Sequence, residues 1–282
     1  MVSHFFSSFF NICWKNGKIP QIWKDSIIVP IHKSGKPPKD INSYRPIALT
    51  SHTCKLFESI ILHRLTHFCE KNSIIPVNQA GFRKNRSSIE HLVKLSTQIK
   101  HQFARRKNVL ATFFDIKKAY DQVWHHRLLQ KISSVGLHGN IFSFIENFLL
   151  HRTVSVRVGS TYSDPRQIDM GIPQGSLIAP ILFNIMMHDL PKAVSKHVTL
   201  VQYADDICMW MNITLKKSTS QRSKNYIKKL YQADLDSLCN YMTHSGLSLS
   251  TEKTHLLLFN AGDNPEDLPI LKLYDTPSIK IE

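Results

Sequence analysis

Tyr203-Ala204-Asp205-Asp206 decides how the chain is read. Apolar residues flank it on both sides: Val198, Leu200 and Val201 before it, Ile207, Cys208, Met209, Trp210 and Met211 after it. Two short apolar runs joined by polar residues predict a hairpin, and Asp is at home in a tight turn. Adjacent carboxylates in apolar surroundings also suit a divalent cation, because an unpaired buried charge is costly. The choice turns on whether the rest of the chain supplies further ligands.

The chain has 282 residues, room for one large domain or two small ones. Lys plus Arg number 36 against 21 Asp plus Glu, a net charge of +15. Such a field attracts polyanions, a nucleic-acid backbone above all. The cysteines at 13, 54, 69, 208 and 239 are odd in number, far apart, and form no C-x-x-C pair. They argue against a disulfide scaffold or zinc ribbon and for a reducing compartment. The 15 histidines form no spaced ligand set. No apolar run approaches the length of a membrane span. The start lacks the basic region and small-residue cleavage site of a signal peptide. These features predict a soluble, intracellular protein.

Downstream of the acidic hairpin, Ser218 to Ser223 is a polar linker. A long amphipathic helix follows to about His244, with Ile227, Leu230, Leu235, Leu238 and Met242 inward and Gly246 as its stop. Leu247-Ser248-Leu249 and Leu256 to Phe259 read as strands, with Lys253 in the loop between. The tail from Gly262 to Glu282 is Pro-rich, with Ile270, Leu271 and Leu273 apolar.

Upstream, Gly171-Ile172-Pro173-Gln174-Gly175-Ser176 is too rich in Gly and Pro for regular structure, and Ser176 is a candidate helix cap. Thr153 to Val158 alternates as a half-buried strand does, after an amphipathic helix over Leu137 to Leu150. Val109 to Phe114 is an apolar β-prone run that ends at Asp115. An acid there is either a functional group at the mouth of a sheet or the cap of the helix that follows through Leu128, Leu129 and Ile132. Between Phe82 and Lys107 lie Lys or Arg at 83, 84, 86, 94, 100, 105, 106 and 107 against the single acid Glu90. Arg83 and Arg86 sit in a Gly-punctuated loop, where planar guanidinium groups suit phosphate oxygens. Thr50 or Ser51 caps a helix with Leu56, Ile60 and Leu65 near one face, and Ile27 to Ile31 is a short strand. Met1 to Cys13 is a helix with aromatics on one face. Helices interleaved with strands, some joined by hairpins, predict an α+β fold: a mostly antiparallel sheet with helices packed on one face.

Asp115, Asp205 and Asp206 gathered at one end of a sheet would repel one another unless cations sit among them. Mg²⁺, a hard ion that prefers oxygen ligands, is the natural occupant. Two such ions, about 3.5–4 Å apart, clamp the attacking and leaving oxygens of a phosphoryl transfer. A basic chain carrying that cluster reads as a polymerase.

The resemblance then becomes specific. Phe114-Asp115-Ile116-x-x-Ala119-Tyr120-Asp121, Gly171-Ile172-Pro173-Gln174-Gly175-Ser176, Tyr203-Ala204-Asp205-Asp206 and Gly246-Leu247-x-Leu249-x-x-x-Lys253-Thr254 resemble the palm motifs of a reverse transcriptase. Tyr44-Arg45-Pro46-Ile47 and Gln79-Ala80-Gly81-Phe82-Arg83-x-x-Arg86-Ser87 resemble the fingers motifs of the non-LTR retrotransposon type, the jockey-like LINE elements in particular. Six blocks in the family's order span nearly the whole chain. The resemblance implies the fingers and palm of a right-hand polymerase, working on an RNA template, a DNA primer and dNTPs with two Mg²⁺ ions. Fingers are expected at about 27–108 and 130–165, palm at about 109–129 and 166–282, and a helical extension at 1–26. The chain stops about where the family continues into the primer-gripping hairpin and thumb. A fragment or decayed copy without thumb or endonuclease is therefore expected, one that binds Mg²⁺ and dNTP but extends primers poorly.

The resemblance also implies roles. Asp115 and Asp205 would bind the metals, with the Ile116 carbonyl as a further ligand and Asp206 supporting the site. Tyr120 would lie under the incoming sugar and exclude a 2′-hydroxyl. Gln174 and Gly175 would touch nucleotide and template backbone. Arg86, Arg83 and Arg45 would hold the triphosphate, and Lys253 would protonate the leaving pyrophosphate. Asp121 matches the family and also reads as a first-turn helix acid. Two alternatives stand beside this reading: a group II intron type maturase, and a non-catalytic RNA-binding relic.

Overall fold

A computed structural model describes residues 2–215, 219–260, 271–274, 276–277 and 280–281. Ser218 of the expected linker, and Gly262, Ile270 and Glu282 of the tail, lie outside the described residues. In chain order the elements are α1 (Val2–Asn16), β1 (Asp25–His32), β2 (Tyr44–Leu49), α2 (His52–Lys71), α3 (Ser88–Ala104) and β3 (Asn108–Asp115). Next come α4 (His125–Ser134), α5 (Asn140–Leu149), β4 (Arg152–Val158), β5 (Thr161–Tyr162), β6 (Arg166–Ile168) and α6 (Ala179–Met186). The remainder is β7 (Val198–Tyr203), β8 (Asp206–Ile213), α7 (Gln221–His244), β9 (His255–Phe259), β10 (Lys272–Leu273), β11 (Thr276–Pro277) and β12 (Lys280–Ile281). The chain forms two compact units, each built from two stretches.

The first unit comprises Met1–Ile74 and Tyr120–Met186. Its sheet runs β2-β1-β4-β5, with β6 also paired to β4. β1 is antiparallel to β2 and parallel to β4, with Ile28 opposite Val156. Ser51 caps α2, its hydroxyl accepting from the Cys54 amide. The buried stripe of α2 is Cys54, Phe57, Glu58, Ile61, Leu65 and Cys69. Of the residues the pattern had turned inward, Leu65 is buried, whereas Leu56 and Ile60 are exposed. The stripe joins Ile61 and Leu65 to two cysteines, a phenylalanine and an acid, a mixture that aliphatic spacing alone does not trace. Phe57 stacks on Phe10 of α1 at 5.0 Å and meets Phe144 of α5 edge-on at 5.3 Å. The aromatic face of α1 thus belongs to this unit's core.

The second unit comprises Ile75–Ala119 and Met187–Glu282. Its sheet runs β12-β9-β3-β8-β7, antiparallel except where β12 meets β9. β3 is central, and both its faces are covered. Leu95 of α3 packs with Val109, Ala111, Val201 and Trp210 on one face. On the other, Tyr231 of α7 bonds the Thr112 hydroxyl at 2.8 Å and donates to the Met209 carbonyl at 3.1 Å. Helices therefore lie on two faces rather than one, which is why Val109–Phe114 is a continuous apolar run instead of an alternating one.

Candidate active site

The carboxylates belong to the second unit, and strand register brings them together. Asp115 ends central strand β3 and lies directly opposite Asp206, the first residue of β8. Asp206 also pairs with Tyr203 at the end of β7, so Ala204 and Asp205 form the tip of a two-residue hairpin loop. Asp115 does not cap a helix: α4 begins only at His125. Residues 248–250 are paired with the backbone at and just beyond it. The Lys117 amide donates to the Ser248 carbonyl (2.9 Å), the Ser250 amide to the Asp115 carbonyl (2.8 Å), and Ile116 bridges Leu249. That pairing delivers Lys253, whose ammonium stands 3.0 Å from Asp115 Oδ2.

Like charges directly opposite one another on paired strands are destabilising. Burial, then repulsion from Asp115, pushes the Asp205 carboxyl above the usual carboxylate range, against the pull of its own backbone hydrogen bond and of Lys253. Burial, then Asp205 and Asp115, pushes Asp206 the same way, again opposed by Lys253. One ammonium thus faces three carboxylates, and the oxygen donors and surplus negative charge fit a hard divalent cation. Among the described residues, no three His, Cys, Asp or Glu side chains stand in ready-made ligand geometry for one ion.

Arg83 and Arg86, also in the second unit, are engaged within their own loop. Arg83 Nη1 donates to the carbonyls of Pro76 (2.9 Å) and Gln79 (3.0 Å). Arg86 donates through Nη2 to the Val77 carbonyl and through Nε to Glu90 Oε2, both at 2.7 Å. Glu90 closes a capping box with Ser87 at the start of α3. The same planar fork that suits a phosphate also suits a strained loop.

Tyr120, Gln174, Gly175 and Arg45 belong to the first unit. The Tyr120 ring stacks on Phe183 at 5.0 Å, and its carbonyl accepts from the Ile172 amide at 2.7 Å. Gln174 Nε2 donates to Asp121 Oδ1 at 2.8 Å. Asp121 therefore lies in the turn before α4 as a hydrogen-bond acceptor, not in a helix's first turn. Gly175 adopts φ +127°, and a Cβ there would fall 2.5 Å from the Ala48 carbonyl oxygen, so only glycine fits. Burial holds the imidazole of His125 below its ordinary value while Nε2 donates to the Gly171 carbonyl at 2.7 Å. Arg45 is exposed on β2, opposite Ile31. A cavity of about 330 Å³ opens among Ile28, Ala48, Asp121, Val154, Met170 and Gln174.

Two residues here were not singled out by motif. Glu58, fully buried on α2, accepts from the Ser176 hydroxyl (2.5 Å) and the amides of Leu177 (2.7 Å) and Ile178 (3.4 Å). It anchors the loop leading into α6, where Ser176, expected as a helix cap, donates to it instead. The available signal was an acid in the buried stripe of α2. Gln79 is the other: it lies in a motif read for its arginines, and its side chain reaches the acidic hairpin.

The model of the family described as "Reverse transcriptase (RNA-dependent DNA polymerase)" matches residues 31–279. The chain belongs to the reverse transcriptase family. Its relatives include the probable RNA-directed DNA polymerase from transposon BS of Drosophila melanogaster, 33% identical over 75% of this chain and 24% of that protein. The RNA-directed DNA polymerase from mobile element jockey, also of Drosophila melanogaster, is 32% identical over 72% of this chain and 23% of its own length. The chain thus spans about a quarter of these reverse transcriptases. Solved structures with the same fold include apo telomerase of Candida tropicalis truncated from its C-terminal domain, with TM-score 0.55 at 13% identity over 93% of this chain and 56% of that one. Candida albicans telomerase, in complex with a TWJ fragment of telomeric RNA, superposes with TM-score 0.56 at 13% identity over 96% and 47%. The fold is that of a polymerase's fingers and palm. Reverse transcriptases use divalent metal ions, and the donor set of Asp115, Asp205 and Asp206 fits that requirement.

Proposed function

We propose that the chain carries out RNA-directed DNA synthesis, joining dNTPs to a primer 3′-hydroxyl on an RNA template, as part of a non-LTR retrotransposon protein acting in cytoplasm and nucleus. The palm, about residues 109–129 and 166–282, would carry the chemistry. The fingers, about 27–108 and 130–165, would handle template and nucleotide, with 1–26 as a helical extension. The observation that supports this most is the β3–β8 register, which sets Asp115 against Asp206 with Asp205 at the adjoining tip.

Asp115 and Asp205 would hold two Mg²⁺ ions, helped by Asp206 and the Ile116 carbonyl. Bound there, the ions would lower the pKa of the primer hydroxyl and neutralise charge on the triphosphate. Lys253, held at Asp115, carries a proton that can pass to the departing pyrophosphate oxygen. Tyr120, braced by Phe183, presents a ring that crowds out a 2′-hydroxyl. Gln174 and Gly175, fixed by Asp121 and the β2 backbone, position nucleotide and template backbone. Exposed Arg45 is a triphosphate contact. Arg83 and Arg86 spend donors on loop carbonyls and Glu90, so we assign them first to holding the loop.

Primer extension on poly(rA)/oligo(dT) tests this, with wild type beside Asp205→Ala. Wild type should extend with Mg²⁺, and the variant should lose on the order of 10³-fold or more. Extension that survives the substitution, or salt-dependent RNA binding with no extension by wild type, would overturn the proposal.

A further inference from the structure

We infer that Gln79 is a positioning residue for Asp205: its carboxamide fixes the hairpin tip that carries this carboxylate and thereby sets the cation affinity of the acidic cluster. The inference rests on the polymerase reading of that cluster.

Gln79 is 1% exposed. Its Oε1 accepts from the amides of Gly81 (2.7 Å) and Ala204 (3.0 Å), and its Nε2 donates to the Ala204 carbonyl (3.2 Å). Two donors and one acceptor around the carboxamide leave only one orientation that satisfies all three. Both peptide planes flanking Ala204 are therefore held by a single side chain. The second plane includes the amide nitrogen of Asp205, so its orientation is passed directly to that residue.

The tip needs such a hold. Ala204 has φ +57°, a left-handed conformation that a residue with a Cβ rarely adopts. Gln79 is itself fixed: the Gln202 amide donates to the Asn78 carbonyl (2.8 Å) and the Ala80 amide to the Gln202 carbonyl (3.0 Å). Residues 78–80 thus run as an extra strand segment beside β7. Gly81 completes the fit, because a Cβ there would lie 2.2 Å from the Ala204 nitrogen and 2.8 Å from its Cα. The Gln-x-Gly spacing has a mechanical reading: the glutamine grips the tip, and the glycine lets the backbone come close enough.

The test compares wild type, Gln79→Leu, Gln79→Glu and Asp205→Ala. Mn²⁺ binding is followed by electron paramagnetic resonance, amide hydrogen exchange is measured at Ala204, Val201 and Met209, and Mg²⁺ is titrated in primer extension. Gln79→Leu should weaken Mn²⁺ binding and raise the half-saturating Mg²⁺ by about 10–100-fold, as loss of a residue supporting metal ligands does. It should speed exchange at Ala204 while Val201 and Met209 keep their protection. Gln79→Glu retains acceptors for both amides and should recover part of the affinity. Unchanged Mn²⁺ affinity in Gln79→Leu, or exchange that quickens equally along β7 and β8, overturns the inference. If wild type binds Mn²⁺ but extends no primer, the polymerase reading fails, and the positioning role is still decided by affinity and exchange. If Asp205→Ala binds Mn²⁺ as wild type does, the metal assignment itself fails.

Discussion

At the scale of single residues, the acidic cluster trades stability for binding. Asp205 is half-buried beside another carboxylate, and its proton affinity is raised above the ordinary value of 3.8. Between that value and the raised one, the folded chain holds more protons than the unfolded chain. Stability therefore rises as pH falls through that window, and above it the full penalty stands. Asp205→Asn removes the repelling charge and keeps the shape. It should raise Tm at pH 7 in chelator, and the advantage over wild type should shrink as the pH approaches 4. Mg²⁺ should raise the Tm of wild type more than that of the variant, since only wild type has the full ligand set. A variant less stable than wild type in chelator at pH 7 would refute the repulsion account. Strain and repulsion concentrated at one hairpin fit the proposal that this hairpin binds a cation.

At the scale of elements, Glu58 of α2 anchors the loop that leads into α6. A buried carboxylate facing the Leu177 and Ile178 amides satisfies groups that would otherwise be left unpaired in that loop. Glu58→Ala should cost about 3 kcal/mol, because it leaves buried donors unpaired beside the buried Arg152 guanidinium. That corresponds to a fall in Tm on the order of 5–10 °C. A fall under about 2 °C would show that water or a shifted loop replaces the carboxylate. This anchor also marks where sequence reading stops. The hairpin, the strand ending at Asp115 and the loop carrying Lys253 were legible because each is set by a local pattern of period or turn chemistry. The inward face of α2, the covering of β3 on both sides and the grip of Gln79 were not. Each depends on which distant element packs there, and Glu58 reaches across 118 positions to Ser176. The arginines of the basic loop show the same limit: residue type suggested phosphate, while local geometry shows them bonded to carbonyls.

At the scale of the molecule, the dominant property is a net charge of +15. With Arg83 and Arg86 turned into their loop, the free basic charge near α3 lies on the exposed residues Lys84, Lys94, Lys100, Arg105, Arg106 and Lys107. Their charged groups are exposed, so on the proposed reading they would meet phosphates as side chains free to adjust rather than as a fixed lattice. Binding through such groups releases counterions from the nucleic acid and weakens steeply with salt. Affinity for an RNA–DNA hybrid, followed by fluorescence anisotropy, should fall by about 10³-fold between 50 and 200 mM KCl, as for roughly six phosphate contacts. Asp205→Ala should give the same slope, because a carboxylate neutralises no phosphate. Arg83→Ala should change the slope little, whereas Lys84→Ala combined with Lys94→Ala should reduce its magnitude by about one to two. An affinity indifferent to salt would mean that the excess positive charge serves something other than a polyanion. A large loss of slope in Arg83→Ala alone would mean that its guanidinium leaves the loop carbonyls for phosphate when nucleic acid binds.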